Sequence, residues 1–172
     1  MDGAAMTRAL RRIAHEILEH NPDPAAFALI GIPSRGVELA RRLADLIGVT
    51  DGRTPELGVI DVSMHRDDLS LRHTLTHVQE THLPLHLEKF TVILVDDVIF
   101  TGRTCRAAMD AIGSFGRPAR IQFAVLLDRG HRELPIRPDY VGKNLPTSQG
   151  ERVKVRLRNI DTEPDSVRLE RP

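Results

Sequence analysis

The 172-residue chain has few of the residues on which several classes of protein depend. It contains no tryptophan and one tyrosine, so it has little with which to stack exposed nucleic-acid bases. A single cysteine excludes an internal disulfide framework and fits a reducing compartment. No apolar run approaches the roughly 20 residues that span a bilayer, and residues 1–6 lack the features of a signal peptide. We therefore expect a cytoplasmic protein with no membrane partner.

The charge balance argues against a protein that binds nucleic acid through its overall charge. Lys and Arg together number 24, as do Asp and Glu, so the formal net charge is zero. The chain as a whole is therefore not drawn to nucleic acid, and any RNA binding must come from a local patch of cations. The length predicts one domain, residues 1–172, with a continuous core.

Apolar patterning along the chain alternates between strand and helix. Apolar runs predict strands at 27–32, 57–65, 91–95, 121–127 and 153–157, and helical periodicity occurs at 7–19, 37–47 and 105 to about 114. Strands that alternate with helices predict an α/β fold with a doubly wound, mainly parallel sheet. The pattern becomes irregular beyond Arg129, and we expect the charged tail from Asp161 to fray.

The segment from Thr91 to Thr104 carries the strongest functional signal. The buried strand Thr91–Val95 is followed by Asp96 and Asp97, at the point where that strand would leave the sheet. Next comes the turn Thr101-Gly102-Arg103-Thr104, which opens a helix. Backbone N–H groups, the positive end of the helix dipole and threonine hydroxyls suit a phosphate. Ionised carboxylates repel phosphate but accept hydroxyl protons from a diol. A phosphate beside a diol describes a ribose 5-phosphate.

This pattern resembles the phosphoribosyl diphosphate (PRPP) motif of the type I phosphoribosyltransferases: an apolar strand, two acids and Thr-Gly-x-Thr. The alternative is a chance strand, turn and helix with an acidic start. The chain has no Gly-x-x-x-x-Gly-Lys-[Ser/Thr], so it is not a P-loop protein. The resemblance implies a type I phosphoribosyltransferase fold with a small hood, mainly from about 129–157. A long polar stretch runs from Arg66 to Glu88. The resemblance implies that it holds a flexible loop, about 69–86, that closes over PRPP.

Two further loops should converge on the same site, because ligands of such sheets bind outside the carboxyl ends of the strands. The tripeptide Ser34-Arg35-Gly36 follows the first strand. Its guanidinium suits bidentate contact with phosphate oxygens, and the resemblance implies that this loop holds the pyrophosphate. It could also be a plain turn. Arg66 and Asp67, after the second strand, would form the lip of the flexible loop or else a surface ion cluster.

Four histidines, His73, His77, His82 and His86, have a spacing that could suit zinc. Pro84 and the scattered threonines argue against one helix that presents all four. We therefore predict that no protein side chains hold a metal, while the resemblance implies Mg²⁺ that arrives with PRPP.

A second resemblance points to a smaller family within the phosphoribosyltransferases. Residues 128–148, here called the basic block, are similar to the pyrimidine operon attenuation regulators, which are also uracil phosphoribosyltransferases. Residues 9–16, 66–70 and 116–122 support this resemblance, which covers nearly the whole chain. It implies an RNA-binding face made by the basic block and the first helix. The candidates carried over are Arg12, His15, His131, Arg132, Arg137 and Lys143. The alternative is that these charges are merely solvated surface.

The chain departs from that family at several positions. Arg11 stands where threonine is usual, and His20 stands where arginine is usual. Both fall on the implied RNA face, so the preference for an RNA sequence could be altered or lost. Phe100 replaces a tyrosine in the PRPP loop, which removes a hydroxyl near the ribose phosphate.

The resemblance implies that the protein transfers phosphoribose from PRPP to uracil, giving UMP and pyrophosphate. Asp96, Asp97 and Arg35 would be the catalytic groups. A second role would be binding of pyrimidine-operon leader mRNA, with UMP or UTP as effector, by a homodimer or higher oligomer. Two alternatives remain. A salvage phosphoribosyltransferase for another base would not bind RNA, and an RNA-binding regulator could have lost turnover.

Overall fold

The computed structural model describes residues 1–65 and 80–171, except the side chain of Met64. The helices and strands are α1 (Gly3–His20), β1 (Phe27–Gly31), α2 (Arg35–Asp51), β2 (Glu56–Val59), β3 (Thr91–Ile99), α3 (Arg103–Gly113), β4 (Arg120–Asp128), β5 (Tyr140–Asn144), β6 (Arg152–Arg156), α4 (Arg158–Asp161) and β7 (Ser166–Glu170). Short 3-10 turns occupy Pro24–Ala26, Ser63–His65 and Leu87–Lys89.

Five of the strands in these residues form one parallel sheet in the order β2-β1-β3-β4-β5. The central strands are buried on both faces because helices cover both. Helices α1 and α2 pack with Leu29, Ile93 and Val95 on one face. Helix α3 packs with Ile30 and Leu94 on the other. The predicted α/β, doubly wound, mainly parallel fold is confirmed.

Helix α1 illustrates how the local sequence sets an element. Its buried side chains recur every three or four residues, and they are Met6, Ala9, Leu10, Ile13, Ala14 and Ile17. The side chain of Asp2 caps the helix by accepting a hydrogen bond from the backbone of Ala5 at 2.8 Å. The helix therefore begins four residues before the predicted start at Thr7.

The chain connections create a switch point between β1 and β3. Strand β1 leads through α2 to β2 on one side, whereas β3 leads through α3 to β4 on the other. Ligands of doubly wound sheets bind in the crevice at the carboxyl ends of two such strands. The loop after β1 lies directly on β3 there, because a Cβ at Gly36 would collide with the carbonyl oxygen of Val95.

The C-terminal residues form a second, two-stranded sheet. Strands β6 and β7 pair antiparallel, and Val155 and Val167 lie opposite each other and join the core. The N-terminus is bound to β7, since Met1 N donates to Val167 O at 2.9 Å and Val167 N donates to Met1 O at 2.8 Å. The expectation that the tail frays from Asp161 is therefore wrong. Its partners are distant in sequence, so local composition does not reveal them.

The hood predicted at about 129–157 stays a prediction, and the strands in that range belong to two different sheets. Strand β5, within the predicted hood, is an edge strand of the main sheet and pairs with β4 through Val141 and Val125. The separate sheet covers 152–170. Residues 69–79 of the predicted flexible loop lie outside the described residues. In the rest of that loop, His82 and Val59 exchange two backbone hydrogen bonds, of 2.7 and 2.9 Å.

Gly142 offers a test of how tightly β5 is packed. A Cβ there would lie 2.5 Å from the carbonyl oxygen of Leu126 and 3.3 Å from Ile13 Cδ1. We expect Gly142→Ala to lower the free energy of unfolding by about 1–3 kcal/mol, because close-packed backbone cannot give way freely. Gly113→Ala is the matched control. No atom lies within 4 Å of its added Cβ, and alanine is the better helix former. Denaturant unfolding that gave the two variants equal stability would contradict this packing.

Candidate active site

The two acidic residues of β3 lie where one neighbouring strand has ended and the other continues. Pairing with β1 ends at Gly31 and Val95. Pairing with β4 extends through Asp96 to Ile99. The prediction that the strand leaves the sheet after Val95 is thus correct on the β1 side and wrong on the β4 side. The sequence does not show how far along β3 each neighbouring strand remains paired.

Side-chain alternation breaks across this acidic pair. Val95 and Val98 both pack in the layer of α1 and α2, although strict alternation would put them on opposite faces. Ile99 packs in the layer of α3. The carboxylates bond to the local backbone. Asp96 Oδ1 accepts from the N–H of Asp97 and Asp97 Oδ1 from the N–H of Val98, each at 2.9 Å.

The electrostatics of the pair depend on Arg35. Asp96 is 9% exposed, and two carboxylates side by side repel when both are ionised. Burial raises the pKa of Asp97, while its hydrogen bond with Asp96 and the positive charge of Arg35 act in the opposite direction. Arg35 therefore opposes the rise in the pKa of Asp97 without cancelling it.

The turn after β3 presents a helix N-terminus to the same crevice. Gly102 has a φ of +93° and precedes the first residue of α3, and Thr101 Oγ1 accepts from the N–H of Arg103 at 3.3 Å. Thr104 lies in the first turn of α3, whose N–H groups have no carbonyl partner within the helix. A helix start of this kind binds anions.

The basic block lies directly on this turn. Thr101 O accepts from the N–H groups of Glu133 at 3.0 Å and Leu134 at 3.2 Å. Arg103 forms an ion pair with Glu133, with Nε 2.7 Å from Oε2. The conformation of the turn at residues 101–104 is therefore fixed partly by residues about 30 positions later in the chain.

The loop after β1 places the predicted pyrophosphate ligands beside the acids. Ser34 is exposed, Gly36 is buried against Val95, and Arg35 is the first residue of α2. Arg35 Nη2 donates to Asp161 Oδ1 at 2.6 Å. Its Nε is buried and has no hydrogen-bond partner in the described parts of the chain. The predicted contributors Arg66 and Asp67 lie outside the described residues.

Sequence reasoning missed Arg129, which follows β4 and is 8% exposed. Its guanidinium lies 4.0 Å from the ring centroid of Phe100 and bonds to Thr147 Oγ1 and to the carbonyls of Ser148 and Glu151. The position of this arginine directly after a buried strand could have marked it in the sequence as a residue of the strand-end crevice. It borders a cavity of about 430 Å³, lined by Asp128, Arg129, Gly130, His131, Asn144, Pro146 and Thr147.

Four of the predicted RNA ligands are exposed around α1 and β5. Arg12 Nη2 donates to the carbonyl oxygen of Gly142, so its guanidinium lies beside β5 and next to Lys143. His15 follows Arg12 by three residues on α1, which places the two on one face of the helix. Arg137 is exposed just before β5. The structure therefore brings Arg12 to the backbone of Gly142, the residue before Lys143, across 130 residues.

The other two candidates bond mainly to the protein itself. Arg132 Nη2 lies 2.5 Å from Asp128 Oδ2, and its other nitrogens donate to the carbonyls of Phe100 and Ile136 at 2.9 Å. His131 Nε2 lies 2.5 Å from Thr147 O. A role of Arg132 in RNA binding stays a prediction, and in this structure a carboxylate four residues earlier and nearby carbonyls take its donors.

The described residues contain no cluster of three or more His, Cys, Asp or Glu side chains that could hold a metal. His73 and His77 lie outside them. Cys105 is buried at the start of α3, and burial together with the charges of Asp96 and Asp139 raises its pKa to about 12. Its thiol is therefore unreactive near neutral pH. None of the described helices is long and apolar enough to cross a bilayer.

Solved structures share this fold. A hypoxanthine-guanine phosphoribosyltransferase from Bacillus anthracis superposes with a TM-score of 0.65 at 19% identity, over 83% of this chain and 80% of that one. Identity this low supports the architecture alone. The sequence model of the phosphoribosyl transferase domain matches residues 2–158.

Sequence relatives narrow the family. The bifunctional protein PyrR of Chloroflexus aurantiacus is 58% identical over 154 residues, which cover 90% of this chain and 85% of that protein. The bifunctional protein PyrR of Pelotomaculum thermopropionicum is 54% identical over 173 aligned residues, covering 99% and 94%. The family, enzyme class and bifunctional character predicted from the sequence are confirmed. The chain belongs to the phosphoribosyltransferase family and, within it, to the family of the bifunctional PyrR proteins.

Proposed function

We propose that the protein transfers the 5-phosphoribosyl group of PRPP to uracil, forming UMP and pyrophosphate, and that it also binds the leader mRNA of a pyrimidine operon. One observation carries the enzymatic proposal. Arg35, Asp96, Asp97 and the N-terminus of α3 meet at the switch point of a doubly wound sheet. This combination suits a ribose that bears phosphate groups at two positions.

Residues 100–104, here called the phosphate-binding turn, would hold the 5-phosphate of the ribose. The N–H groups of the first turn of α3 and the hydroxyls of Thr101 and Thr104 supply hydrogen-bond donors, and the helix dipole favours the negative charge. Asp96 and Asp97 would accept protons from the ribose hydroxyls. The turn and the acids together fix the sugar ring from two directions.

Ser34, Arg35 and Gly36 would hold the leaving pyrophosphate. As the bond from the ribose carbon to pyrophosphate breaks, positive charge grows on the sugar and negative charge on the leaving group. The Asp96 and Asp97 carboxylates stabilise the first charge, and the Arg35 guanidinium stabilises the second. Such preorganised charges lower the barrier without any covalent bond to the protein.

Mg²⁺ carried by the diphosphate of PRPP fits this arrangement. Mg²⁺ usually keeps several waters and binds substrate phosphates, so the metal would come with the substrate and would need no set of protein ligands. When bound, it would supply further positive charge to the leaving group.

The cavity beside Arg129 is the proposed site of the base. Its volume of about 430 Å³ is within the range of small-molecule sites, and Arg129 joins its wall to Phe100 of the phosphate-binding turn. Asn144 and Thr147 line it with groups that can pair with the N–H and carbonyl groups of a pyrimidine.

The proposed RNA face consists of Arg12, His15, Arg137 and Lys143. The position of the Arg12 guanidinium on Gly142 supports this face, because it brings a cation of α1 to the edge strand that carries Lys143. Cations at such spacing bind phosphates, and the zero net charge leaves little attraction elsewhere. We also propose that UMP or UTP is the effector and that the protein acts as a homodimer or higher oligomer.

An assay of base specificity tests the enzymatic proposal against a salvage enzyme for another base. Purified protein with PRPP and Mg²⁺ is given uracil, hypoxanthine or orotate, and nucleotide products are separated chromatographically. We expect UMP from uracil and little product from the other two bases. Faster turnover of hypoxanthine or orotate would reassign the substrate, and no product from any base would support a regulator without turnover.

Replacement of Asp96 and Asp97 by asparagine should abolish UMP formation and preserve the fold. The amides retain the shape but lose charge-assisted bonds to the ribose hydroxyls, which contribute about 1.5–3 kcal/mol each. Asp45→Asn is the matched control, because Asp45 lies exposed on α2 in a surface ion pair with Arg41. Undiminished turnover in the double variant would exclude the acids from the site.

The single variant Asp97→Asn carries a second expectation. Because burial raises the pKa of Asp97 in the folded protein, its ionised form destabilises the fold at neutral pH. The variant should therefore be more stable than the wild type at neutral pH. Its advantage should shrink as the pH falls through the raised pKa toward the ordinary value of 3.8, where wild-type Asp97 takes up a proton. Denaturant unfolding at several pH values measures both.

Lys143→Ala should weaken binding of a pyrimidine-operon leader RNA and spare uracil transfer. Loss of one phosphate contact should reduce the slope of log affinity against log salt by about 0.7 to 0.9. Lys89→Ala removes the same charge from an exposed site near the layer of α3, so it controls for net charge. Filter binding with leader and scrambled RNA decides the matter. Equal affinity for both RNAs would reject specific RNA binding, and only the enzymatic function would remain.

A further inference from the structure

Asp161 ends α4, the helical turn that follows β6, and it belongs to neither the acidic pair nor the basic block. It also lies beyond the residues that the phosphoribosyl transferase domain matches, which end at 158. Its side chain is 6% exposed, although aspartate is seldom buried without partners. A buried carboxylate so close to a predicted substrate ligand needs a physical account.

Three donors compensate the buried charge. Asp161 Oδ1 accepts from Arg35 Nη2 at 2.6 Å and from Arg156 Nη1 at 2.9 Å, while Oδ2 accepts from Leu157 N at 2.8 Å. Burial tends to raise the pKa of Asp161, but these hydrogen bonds and the charge of Arg35 hold the pKa below its ordinary value. Asp161 is therefore a carboxylate at neutral pH, and its bonds to the two guanidinium groups are charge-assisted.

The position of Asp161 is itself fixed from two sides. Arg156 of β6 and the backbone of Leu157 hold it within the C-terminal segment. That segment is bound to α2 by Asn159, whose Nδ2 donates to Glu38 Oε1 at 2.7 Å. A second bond joins Arg42 Nη1 to Asp165 Oδ2 at 2.6 Å. Movement of Asp161 relative to the start of α2 would break several charge-assisted bonds.

The contact decides where the Arg35 guanidinium lies. A free arginine side chain samples many rotamers, which costs entropy when it must bind. Here Nη2 is bonded to Asp161 and the positive charge acts on Asp97. Nε is buried and unpartnered among residues 1–65 and 80–171. One donor of the guanidinium is thus held by the protein, which fixes the direction of the others.

We infer that Asp161 is a positioning residue of the pyrophosphate site, which holds the guanidinium of Arg35 in the orientation that receives the diphosphate of PRPP. The inference rests on the proposed function. Asp161 touches no reacting atom. It acts through Arg35, as a supporting carboxylate acts through the ligand that it orients.

The test is the steady-state kinetics of Asp161→Asn. We expect its KM for PRPP to rise about tenfold, the size of effect that loss of a supporting partner commonly has. The KM for uracil should stay unchanged, and inhibition by pyrophosphate should weaken by the same factor as the KM for PRPP rises. A KM does not depend on the folded fraction of the enzyme, so a partly unfolded preparation remains informative.

Two controls separate positioning from local damage. Glu163→Gln changes an exposed acid that lies 3.6 Å from Arg156 and should leave each KM as in the wild type. Arg156→Ala removes the other guanidinium from Asp161 but leaves its bond to Arg35. It should reduce stability in thermal unfolding, and the KM for PRPP should rise much less than in Asp161→Asn, because Leu157 N still holds Asp161 Oδ2.

A double-mutant cycle identifies the route of action. If Asp161 works through Arg35, Asp161→Asn should add nothing to the defect of Arg35→Ala. Three results would each overturn the inference: an unchanged or lower KM for PRPP in Asp161→Asn, an equal rise in Arg156→Ala, or a full Asp161 effect in the Arg35→Ala background. A lower KM would mean that Asp161 competes with PRPP for Arg35.

Failure of the proposed function gives a different result. If the wild-type protein forms no UMP, binding of magnesium pyrophosphate by calorimetry tests Asp161 without turnover. We then expect Asp161→Asn to weaken pyrophosphate binding about tenfold relative to the wild type. Equal binding by the two proteins would reject the role of Asp161.

Discussion

The approach of Gly36 to the carboxyl end of β3 is the constraint on which the site depends. A Cβ at this position would collide with the carbonyl oxygen of Val95, so α2 can begin against β3 only with glycine there. That contact sets Arg35 beside Asp97, and the charge of Arg35 in turn favours ionisation of a carboxyl whose pKa is raised by burial. The acidic pair and Arg35, which are proposed to bind the sugar and the pyrophosphate, are thus one electrostatic unit.

The second constraint joins the two proposed activities. The basic block bonds to the phosphate-binding turn through Thr101 O, through Arg132 on the Phe100 carbonyl and through the ion pair of Arg103 and Glu133. Its later residues then continue into β5, whose Gly142 carbonyl accepts from Arg12. The earlier residues of the basic block therefore contact the proposed phosphate site, and its later residues supply Arg137 and Lys143 to the proposed RNA face. The packing of β5 against α1 and β4 fixes the geometry of both.

The site carries an energetic cost that the rest of the fold must offset. Two neighbouring acids at the end of a buried strand disfavour ionisation, and burial of Asp97 makes its charged form unfavourable near neutral pH. Apolar packing on both faces of the sheet and the ion pairs between α2 and the C-terminal segment provide stability elsewhere. Such local cost is typical of functional sites, where charges are placed for the ligand and not for the free protein.

Local sequence was enough to predict the α/β fold, the acidic pair, the turn that opens α3 and the tripeptide around Arg35. Each is encoded in a few consecutive residues, where strand period, turn chemistry and helix start can be read directly. Folding had to supply the remaining features. It bonds Arg132 to Asp128 and to the carbonyl of Phe100, and it holds in place the tail that was expected to fray, which contains Asp161. Arg35 and Asp161 are 126 residues apart, as their hydrogen bond records. No local pattern can reveal a pair of charges that only folding brings together.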